Sequence, residues 1–359
     1  MQRRSLIQRG ALAGVLAAGI VPSVHAQAAT RWRLASSFPR SMDLLFGSAE
    51  SFARKVGEMT GGRFQIEVHA AGELMPALGV LDGVQQSAIE ACHTSGIYFV
   101  GKDDVFAIGS SLPFGMNARQ LAGWMTEGNG GKLMGEFYGR FNALNFPCGN
   151  TGATVGAWFR REIRTPRDFR GLKFSFDGMA GRVFRALGGL PQKLPAGEIV
   201  AALGKGVIGA AQGSSPYDDQ KRGFQKAAPH YQYPGWWSGG LQLELLVNRK
   251  AFDGLTPEYR AIVEAASAFA QAEMQARYAA RNPVALQQLV GGGTVVGGFP
   301  RPVLEAAFKA SMALGRELGA SNAGWKKIHD DYRSFQQQQL FGARHSEAPL
   351  DSFLQSVKW

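Results

Sequence analysis

The stretch that decides the fold is RFQIEVHAA, residues 63–71, in which polar and apolar side chains alternate from Arg63 to Ala70. Phe64, Ile66 and Val68 would lie on one face of an extended chain, with a polar residue after each of them. A period of two indicates a β-strand that is buried on one side.

The neighbouring segments extend this strand into a β-α-β-α-β unit. TRWRLASS, residues 30–37, alternates in the same way and predicts another strand. Apolar residues between Leu44 and Val56 recur at helical spacing and stop at Gly61-Gly62. We expect a further helix over Gly79–Gln86 and a third strand over Ile89–His93.

The same order returns in the second half of the chain. GLKFSF, residues 171–176, predicts a strand, and Met179–Leu187 a helix that ends at Gly188-Gly189. Three shorter segments continue the pattern as a strand, a helix and a strand: PQKLP, GEIVAALGKG and VIGAAQ. Helices are predicted over Pro257–Arg281 and Arg301–Leu318, with the glycine-rich turn VGGGTVVGG between them.

Two modules of one pattern predict an α/β protein with two lobes, each a β-sheet flanked by helices. No low-complexity linker separates the modules, so we expect segments that cross between the lobes. Lobe I is assigned to residues 27–150, with crossing segments near 215–290, and the core of lobe II to residues 151–214. Residues 291–359 form a C-terminal helical region.

The N-terminus predicts export. Arg3-Arg4 precede an apolar run over residues 11–21, and the small-residue pattern of a cleavage site follows, so residues 1–26 resemble a twin-arginine signal. A periplasmic location follows for the mature chain. Removing three signal arginines lowers the formal charge from +11 to +8, but the basic residues form no run, which argues against nucleic-acid binding. Cys92 and Cys148 could form a disulfide or remain buried thiols.

Sequence motifs give little support to catalysis. GKGVIG, residues 204–209, follows a helix and precedes a strand, which is the wrong order for a dinucleotide site. The histidines are far apart, and no nucleophile motif is present, so neither a zinc site nor covalent hydrolysis is indicated. Asp218-Asp219 follow Ser215-Pro216 and are typical of a helix N-terminus. We therefore expect a binding protein, with a secreted enzyme as the alternative.

The carboxyl ends of the predicted strands nominate a ligand cleft between the lobes. Open α/β sheets bind ligands at this edge, where Ser175 and Gln212 follow strands of the second module and Tyr98 lies just beyond a strand of the first. The segment after Gln212 is rich in aromatic residues and in Gly and Pro. Its Trp236 and Trp237 are predicted to form an aromatic wall of the cleft.

Consecutive blocks of the mature chain resemble the DctP-type solute-binding proteins of tripartite ATP-independent periplasmic (TRAP) transporters. These blocks include PCGNTGATVGAWFRREI, GLKFSFDGMAGRVFRALGG, SPYDDQKRGFQKAAPHYQYPGWWSGG and LELLVNRKAFDGL. The nearest branch binds 2-oxo monocarboxylates or lactate. The resemblance implies a two-lobed, type II-like periplasmic receptor that closes on a small organic acid and delivers it to a membrane permease. It also implies C-terminal helices able to pair two subunits.

The chain departs from the family pattern at the positions that the resemblance assigns to the ligand. Ser175 replaces an Arg that grips a carboxylate, and Thr154 replaces a Gln. Gln212-Gly213 replaces Glu-Trp, and Ser238 replaces a Glu after the paired tryptophans. In the oxo-acid branch, the Gln, Glu-Trp and second Glu hold a Na⁺ or Ca²⁺. We therefore expect no cofactor and no cation, with Gln212, Gly213 and Ser238 as metal positions only if the family site persists.

These changes predict polar contacts to the ligand from Thr154, Ser175, Gln212 and Ser238. Asp177 is expected to support these side chains without contacting the ligand itself. Loss of Trp at Gly213 is expected to open space for a larger or less charged solute. Two ligands remain open: a neutral or weakly acidic solute, and a conventional oxo acid held instead by Lys173 or Arg182. A receptor that presents its ligand to a membrane sensor is a further alternative on the same scaffold.

Overall fold

The computed structural model describes residues 29–176, 178–192, 194 and 196–358. The predicted export signal, residues 1–26, and Asp177 lie outside the described residues. The strands are β1 (Thr30–Ser36), β2 (Phe64–His69), β3 (Ala91–Thr94), β4 (Ala143–Asn150), β5 (Ala157–Phe159), β6 (Lys173–Ser175), β7 (Leu190–Pro191), β8 (Ala210–Gln212), β9 (His230–Tyr233), β10 (Gln242–Asn248) and β11 (Val295–Gly298).

The α-helices alternate with these strands in the first two-thirds of the chain and dominate the last third. They are α1 (Asp43–Met59), α2 (Val80–Gln85), α3 (Ala118–Thr126), α4 (Gly130–Gly139), α5 (Gly178–Ala186), α6 (Ile199–Gly204), α7 (Pro216–Arg222), α8 (Arg249–Asp253), α9 (Pro257–Gly291), α10 (Arg301–Ser321), α11 (Ala323–Arg344) and α12 (Glu347–Ser356). Among the described helices, none is both long and apolar enough to cross a membrane.

The first sheet has the order β2-β1-β3-β10-β4 and forms lobe I. β1 pairs in parallel with β2 and β3, whereas β10 runs antiparallel to both of its neighbours. Helix α1 connects β1 to β2 and buries Phe52 and Val56 against the sheet. It ends where Gly61 and Gly62 adopt positive φ angles of 55° and 78°, a backbone that glycine takes without steric cost.

The second sheet has the order β11-β9-β5-β8-β6-β7 and forms lobe II. β6 and β8 are parallel, and β5 runs antiparallel between β8 and β9. The segment predicted as a glycine-rich turn contains β11, an edge strand that pairs in parallel with β9. Two mixed sheets flanked by helices confirm the predicted α/β class.

Three segments carry the chain between the two sheets. The first joins β4 to β5, the second joins β9 to β10, and the third is the 35-residue helix α9. The first part of α9 packs against lobe I, whereas Leu289 near its end belongs to the apolar core of lobe II. Pro283 lies inside α9 between these two parts. Proline has no backbone N–H, so the helix loses one hydrogen bond at this point.

Buried amide side chains tie the three crossing segments together. Gln242 of β10 donates to Gln271 of α9 at 2.9 Å, and Asn150 of β4 donates to Gln242 at 3.0 Å. Gln271 in turn accepts a hydrogen bond of 2.6 Å from the backbone N–H of Gly149. Because these groups are buried, their mutual hydrogen bonds fix the relative position of the segments. Elsewhere in lobe I, Cys92 and Cys148 are both buried free thiols.

Candidate functional site

The lobe I edge of the cleft is made of hydroxyl side chains at adjacent strand ends. β1 and β3 are parallel neighbours, so the residues that follow them meet. Ser37 Oγ lies 2.7 Å from Thr94 Oγ1 and donates to the carbonyl of Ala77 at 2.7 Å. Both hydroxyls are buried, and this side of the cleft carries no charge at the strand ends themselves.

The lobe II edge brings Ser175, Gln212 and Thr154 to one end of the second sheet. Ser175 is aligned with Ala211 in the β6–β8 pair, and Gln212 is aligned with Ala157 in the β5–β8 pair. Thr154 precedes β5 on the same side of the sheet. Thr154 and Ser175 are buried, and Gln212 is half-buried.

Ser238 lies on the crossing segment beside Thr154. The carbonyl of Thr154 accepts a hydrogen bond from the N–H of Gly235 at 3.2 Å. A Cβ at position 235 would lie 2.5 Å from that carbonyl oxygen, so only glycine permits this approach. The Ser238 hydroxyl is buried and accepts from the N–H of Gly240 at 3.2 Å. The backbone therefore holds these two predicted site residues on adjacent segments.

The two lobes touch directly at the start of α5. A Cβ on Gly178 would lie 2.8 Å from the side chain of Ile97 in lobe I, and Met179 packs into the lobe I core. Arg182 Nη2 is 2.6 Å from Asp104 Oδ1. Tyr98, which adjoins Ile97, is 37% exposed, and its ring centroid lies 6.0 Å from that of Phe38. The lobes are thus closed on each other at this edge.

A second bridge between the lobes centres on Asp43 at the start of α1. Tyr217 of α7 donates its hydroxyl to Asp43 Oδ2 at 2.8 Å, and Lys221 Nζ lies 2.6 Å from Asp43 Oδ1. Arg281 of α9 adds a contact of 3.3 Å to the same carboxylate. Sequence reasoning missed these groups because isolated surface charges carry no local signal of a distant partner.

Trp236 and Trp237 are part of the lobe II core. Their side chains are 5% and 1% exposed. Trp236 stacks on Phe114 at 5.3 Å between centroids, and Trp237 meets Phe176 edge-to-face at 5.4 Å. Both indole N–H groups are buried without a hydrogen-bond partner among the described residues. Their contribution to an aromatic wall of the cleft stays a prediction.

The expected free space at Gly213 is not present. A Cβ there would lie 2.3 Å from Asp219 Oδ2 and 2.8 Å from the carbonyl oxygen of Gly156. Asp219 occupies the space because its carboxylate accepts from the N–H of Ser214 at 2.8 Å and from Trp158 Nε1 at 2.9 Å. Burial raises the pKa of Asp219 to about 6. The neighbouring Ser215 caps α7, as its sequence indicates.

The two basic residues offered as substitute anchors lie elsewhere. Lys173 is exposed at the end of β6 opposite to Ser175. Arg182 is engaged by Asp104 in the contact between the lobes. Neither side chain lies where its charge would meet a ligand carboxylate buried in the cleft.

Neutral oxygen atoms dominate the positions that the family would use for a cation. Among the residues that the structure describes, no three His, Cys, Asp or Glu side chains are grouped so that they could hold a metal ion. Gln212 and Ser238 nevertheless offer hard oxygen donors, of the kind that Na⁺ and Ca²⁺ prefer. These donors fit a cation whose charge is balanced mainly by a bound carboxylate rather than by the protein.

Known proteins resemble this chain over almost its whole length. The monocarboxylate 2-oxoacid-binding periplasmic protein of Nostoc sp. is 41% identical over 326 residues, which cover 91% of this chain and 89% of that protein. A TRAP transporter solute-binding protein of Bordetella bronchiseptica, crystallised as a mixed-occupancy dimer with calcium and picolinate in its active site, is 39% identical. It superposes with a TM-score of 0.87 over 91% of this chain and 98% of its own.

A TRAP periplasmic solute-binding protein of Pseudoalteromonas atlantica was crystallised with sodium and pyruvate. It is 32% identical to this chain, with a TM-score of 0.86 over 92% of this chain and 100% of its own. The expectation of no cofactor, which assumed that substitution at Gln212, Gly213 and Ser238 removes the cation, is therefore wrong. Structures this similar contain calcium or sodium.

The family profile described as bacterial extracellular solute-binding protein, family 7 (DctP), matches residues 35–335. This match covers both lobes and the three crossing segments. It supports an extracytoplasmic, periplasmic location and a receptor rather than an enzyme. The chain belongs to the DctP family of TRAP-type solute-binding proteins.

Proposed function

We propose that the chain is the receptor of a TRAP transport system for a small monocarboxylate of the 2-oxo acid type. The observation that supports this most is that the Bordetella bronchiseptica protein, 39% identical over 91% of this chain, holds picolinate together with calcium. Picolinate and pyruvate both place a second polar atom beside the carboxylate. A ligand of this shape can be gripped at two points.

The proposed grip uses Thr154, Ser175 and Gln212, which share one end of the second sheet. Hydroxyl and amide groups can donate to the carboxylate and to the oxo oxygen, and each such bond to a charged group contributes roughly 1.5–3 kcal/mol. Ser37 and Thr94, which are hydrogen-bonded to each other at the strand ends of lobe I, would complete the grip from the other lobe. Contacts from both lobes would make the ligand stabilise the closed arrangement.

A cation is part of this proposal. Gln212 and Ser238 would hold it through side-chain oxygens, and when bound it would supply positive charge for the carboxylate. This replaces the charge that an arginine at position 175 would bring. Since the protein donors are neutral, affinity for the ion alone should be weak and should rise when the acid is present.

The test is a thermal-unfolding screen of pyruvate, 2-oxobutyrate, lactate and picolinate, each in calcium, in sodium and in a chelator. Free ligand at a hundred times its Kd stabilises the fold by about 2.7 kcal/mol. We expect a shift with the 2-oxo acids in the presence of a cation and little shift with either component alone. A shift with uncharged polyols or amides, and none with acids, would overturn the proposal.

A matched pair of variants distinguishes an effect on the ligand site from a general effect on the fold. Thr154→Val removes a hydroxyl at the proposed grip and should weaken pyruvate binding about tenfold to a hundredfold, the loss expected for one hydrogen bond to a charged group. Thr126→Val removes an exposed hydroxyl that donates to the Ala122 carbonyl within α3. It should leave affinity unchanged. Equal loss in both variants would place the effect outside the site.

The partners proposed are the membrane permease and a second copy of this chain. Exposed apolar residues mark the C-terminal helices, with Phe341 69% and Phe353 61% exposed. Large exposed apolar side chains, where they form a patch, typically mark an interface. Multi-angle light scattering should report a dimer for the mature chain and a monomer for the Phe341→Ser/Phe353→Ser variant. A monomeric mature chain would contradict the pairing without affecting ligand binding.

A further inference from the structure

The positive charge of this protein is concentrated in lobe II. Residues 151–240 contain 13 Lys and Arg against 6 Asp and Glu, whereas residues 29–150 contain 10 against 11. Lobe II therefore holds most of the excess of the mature chain. The sequence conceals this asymmetry because the basic residues occur singly or in pairs, without a longer run.

The fold gathers many of these residues at the end of the second sheet that lies opposite the cleft. The N–H of Arg160 donates to Gly209 at 2.9 Å, and the N–H of Gly209 donates to Lys173 at 2.8 Å. Three strand ends thus meet there. Around them lie the residues that we call the basic pole, all exposed: Arg160, Arg161, Arg170, Lys173, Arg185 and Lys205.

The basic pole is poorly neutralised by nearby acids. Glu162 is paired with Arg164 at 2.7 Å. Asp168 is used by the backbone, since it accepts from the N–H groups of Arg164 at 2.9 Å and Thr165 at 2.7 Å. These backbone bonds lower the pKa of Asp168. An unneutralised group of exposed cations attracts an anionic surface.

Aliphatic side chains accompany the cations. Leu190, aligned with Lys173 in the β6–β7 pair, is 48% exposed, and Val207 is 53% exposed. The aromatic residues of this region, which would favour a protein partner, are buried: Phe169, Phe174 and Phe184. Scattered Lys and Arg with small exposed apolar groups are typical of a surface that rests on anionic lipid headgroups.

We propose that the basic pole of lobe II is a docking surface for anionic phospholipids on the outward face of the membrane that holds the permease. The site of contact is at the opposite end of the sheet from Ser175 and Gln212, so docking leaves the ligand cleft free. The attraction is electrostatic and acts over about 8 Å at physiological ionic strength. It would concentrate the receptor at the membrane and would not depend on which solute is carried.

The test is sedimentation of the mature chain with vesicles of phosphatidylcholine alone or with one-third phosphatidylglycerol. We expect binding only to the anionic vesicles and release at high salt. The Arg161→Glu/Arg170→Glu/Arg185→Glu/Lys205→Glu variant should lose affinity by at least about tenfold. The control reverses the same number of exposed lobe I charges: Arg31→Glu/Arg63→Glu/Lys132→Glu/Lys250→Glu. It should lose much less.

If both variants lose vesicle affinity equally, the net charge of the protein explains the binding, and the proposal that the basic pole is the docking surface is wrong. Binding to immobilised polyglutamate, without binding to anionic vesicles, would favour an acidic protein partner instead. Should the glutamate variant unfold, its glutamine counterpart keeps the test valid, because neutralisation alone should also weaken vesicle binding. Pyruvate binding, measured in parallel, should be the same in all variants, which separates this proposal from the proposed function.

Discussion

Arg182 of α5 and Asp104 of lobe I meet at 2.6 Å across the contact between the lobes. Because this ion pair joins the two lobes, separation of the lobes would break it, and its free energy adds to that of closure. Both side chains are partly exposed, at 38% and 21%, so the contribution is modest.

Replacement of Arg182 by Ala should therefore weaken ligand binding by no more than about fivefold, because an exposed pair contributes roughly 0–1 kcal/mol. The reason is a smaller fraction of closed molecules, which lowers the apparent affinity. Calorimetric titration measures the effect. Arg301→Ala is the matched control, since it removes a pair with Glu305 inside one helix. A larger loss than this would indicate direct contact between Arg182 and the ligand.

Gln212→Glu tests the cation directly. The substitution restores a charged oxygen at the position where the family has an acid, and a carboxylate near a divalent ion gains several kcal/mol of Coulomb attraction at about 4 Å. Calcium affinity in the absence of acid should rise at least about tenfold. Calcium titration followed by tryptophan fluorescence gives the measurement. No change in calcium affinity would exclude Gln212 from the cation site.

Gly213→Ala should destabilise the fold. The added Cβ would lie 2.3 Å from Asp219 Oδ2 and 2.8 Å from a backbone carbonyl, so either the carboxylate or the strand must shift. Overpacking of this kind costs roughly 1–3 kcal/mol, measured as the change in the free energy of unfolding by urea. Gly57→Ala in α1, where no atom lies within 4 Å of the new Cβ, should be neutral or slightly stabilising.

Glu244 makes stability depend on pH. The carboxyl is fully buried beside Tyr138, which donates to it, and burial raises its pKa to about 8. The folded state thus binds a proton that the unfolded state releases, and stability falls as pH rises from the unfolded pKa towards 8. Urea unfolding at about pH 6.5 and about pH 8.5 should show this fall, which Glu244→Gln should reduce.

The other strongly shifted groups contribute little to the fall in that interval. Burial lowers the pKa of His93 and of His329 to about 4, so both are neutral in the folded state at about pH 6.5, and the protons that unfolded histidine still holds there act against the fall. Asp219, with a pKa of about 6, is mostly ionised at the lower end of the interval. An equal fall in wild type and Glu244→Gln would assign the slope to a different group.

The sequence predicted best what depends on local pattern. Alternation in residues 63–71 and helical spacing after Leu44 identified β2 and α1. β10, by contrast, lies between β3 and β4 although the chain reaches it only after most of lobe II. Its seven residues are all buried, so they show no alternation. No local pattern could reveal a strand that returns from the other lobe.

The site was less accessible to the same reasoning. Strand ends pointed to Ser175 and Gln212 because the position of a strand end follows from topology. The environment of Gly213 could not be predicted, since Asp219 reaches it through a capped helix turn. The cation was misjudged because the loss of charge at two positions, Gln212 and Ser238, was taken as decisive. An ion can also draw its balancing charge from the ligand itself.

Pro283 has a consequence for how the receptor moves. It divides α9 between the part held by lobe I and the part that ends at Leu289 in lobe II, and it leaves the carbonyl of Ala279 without its usual helical donor. A rod shared by two bodies would resist their separation along its whole length. A rod already weakened at the boundary is expected to bend there first, which would let the two halves separate while the packing on either side stays intact.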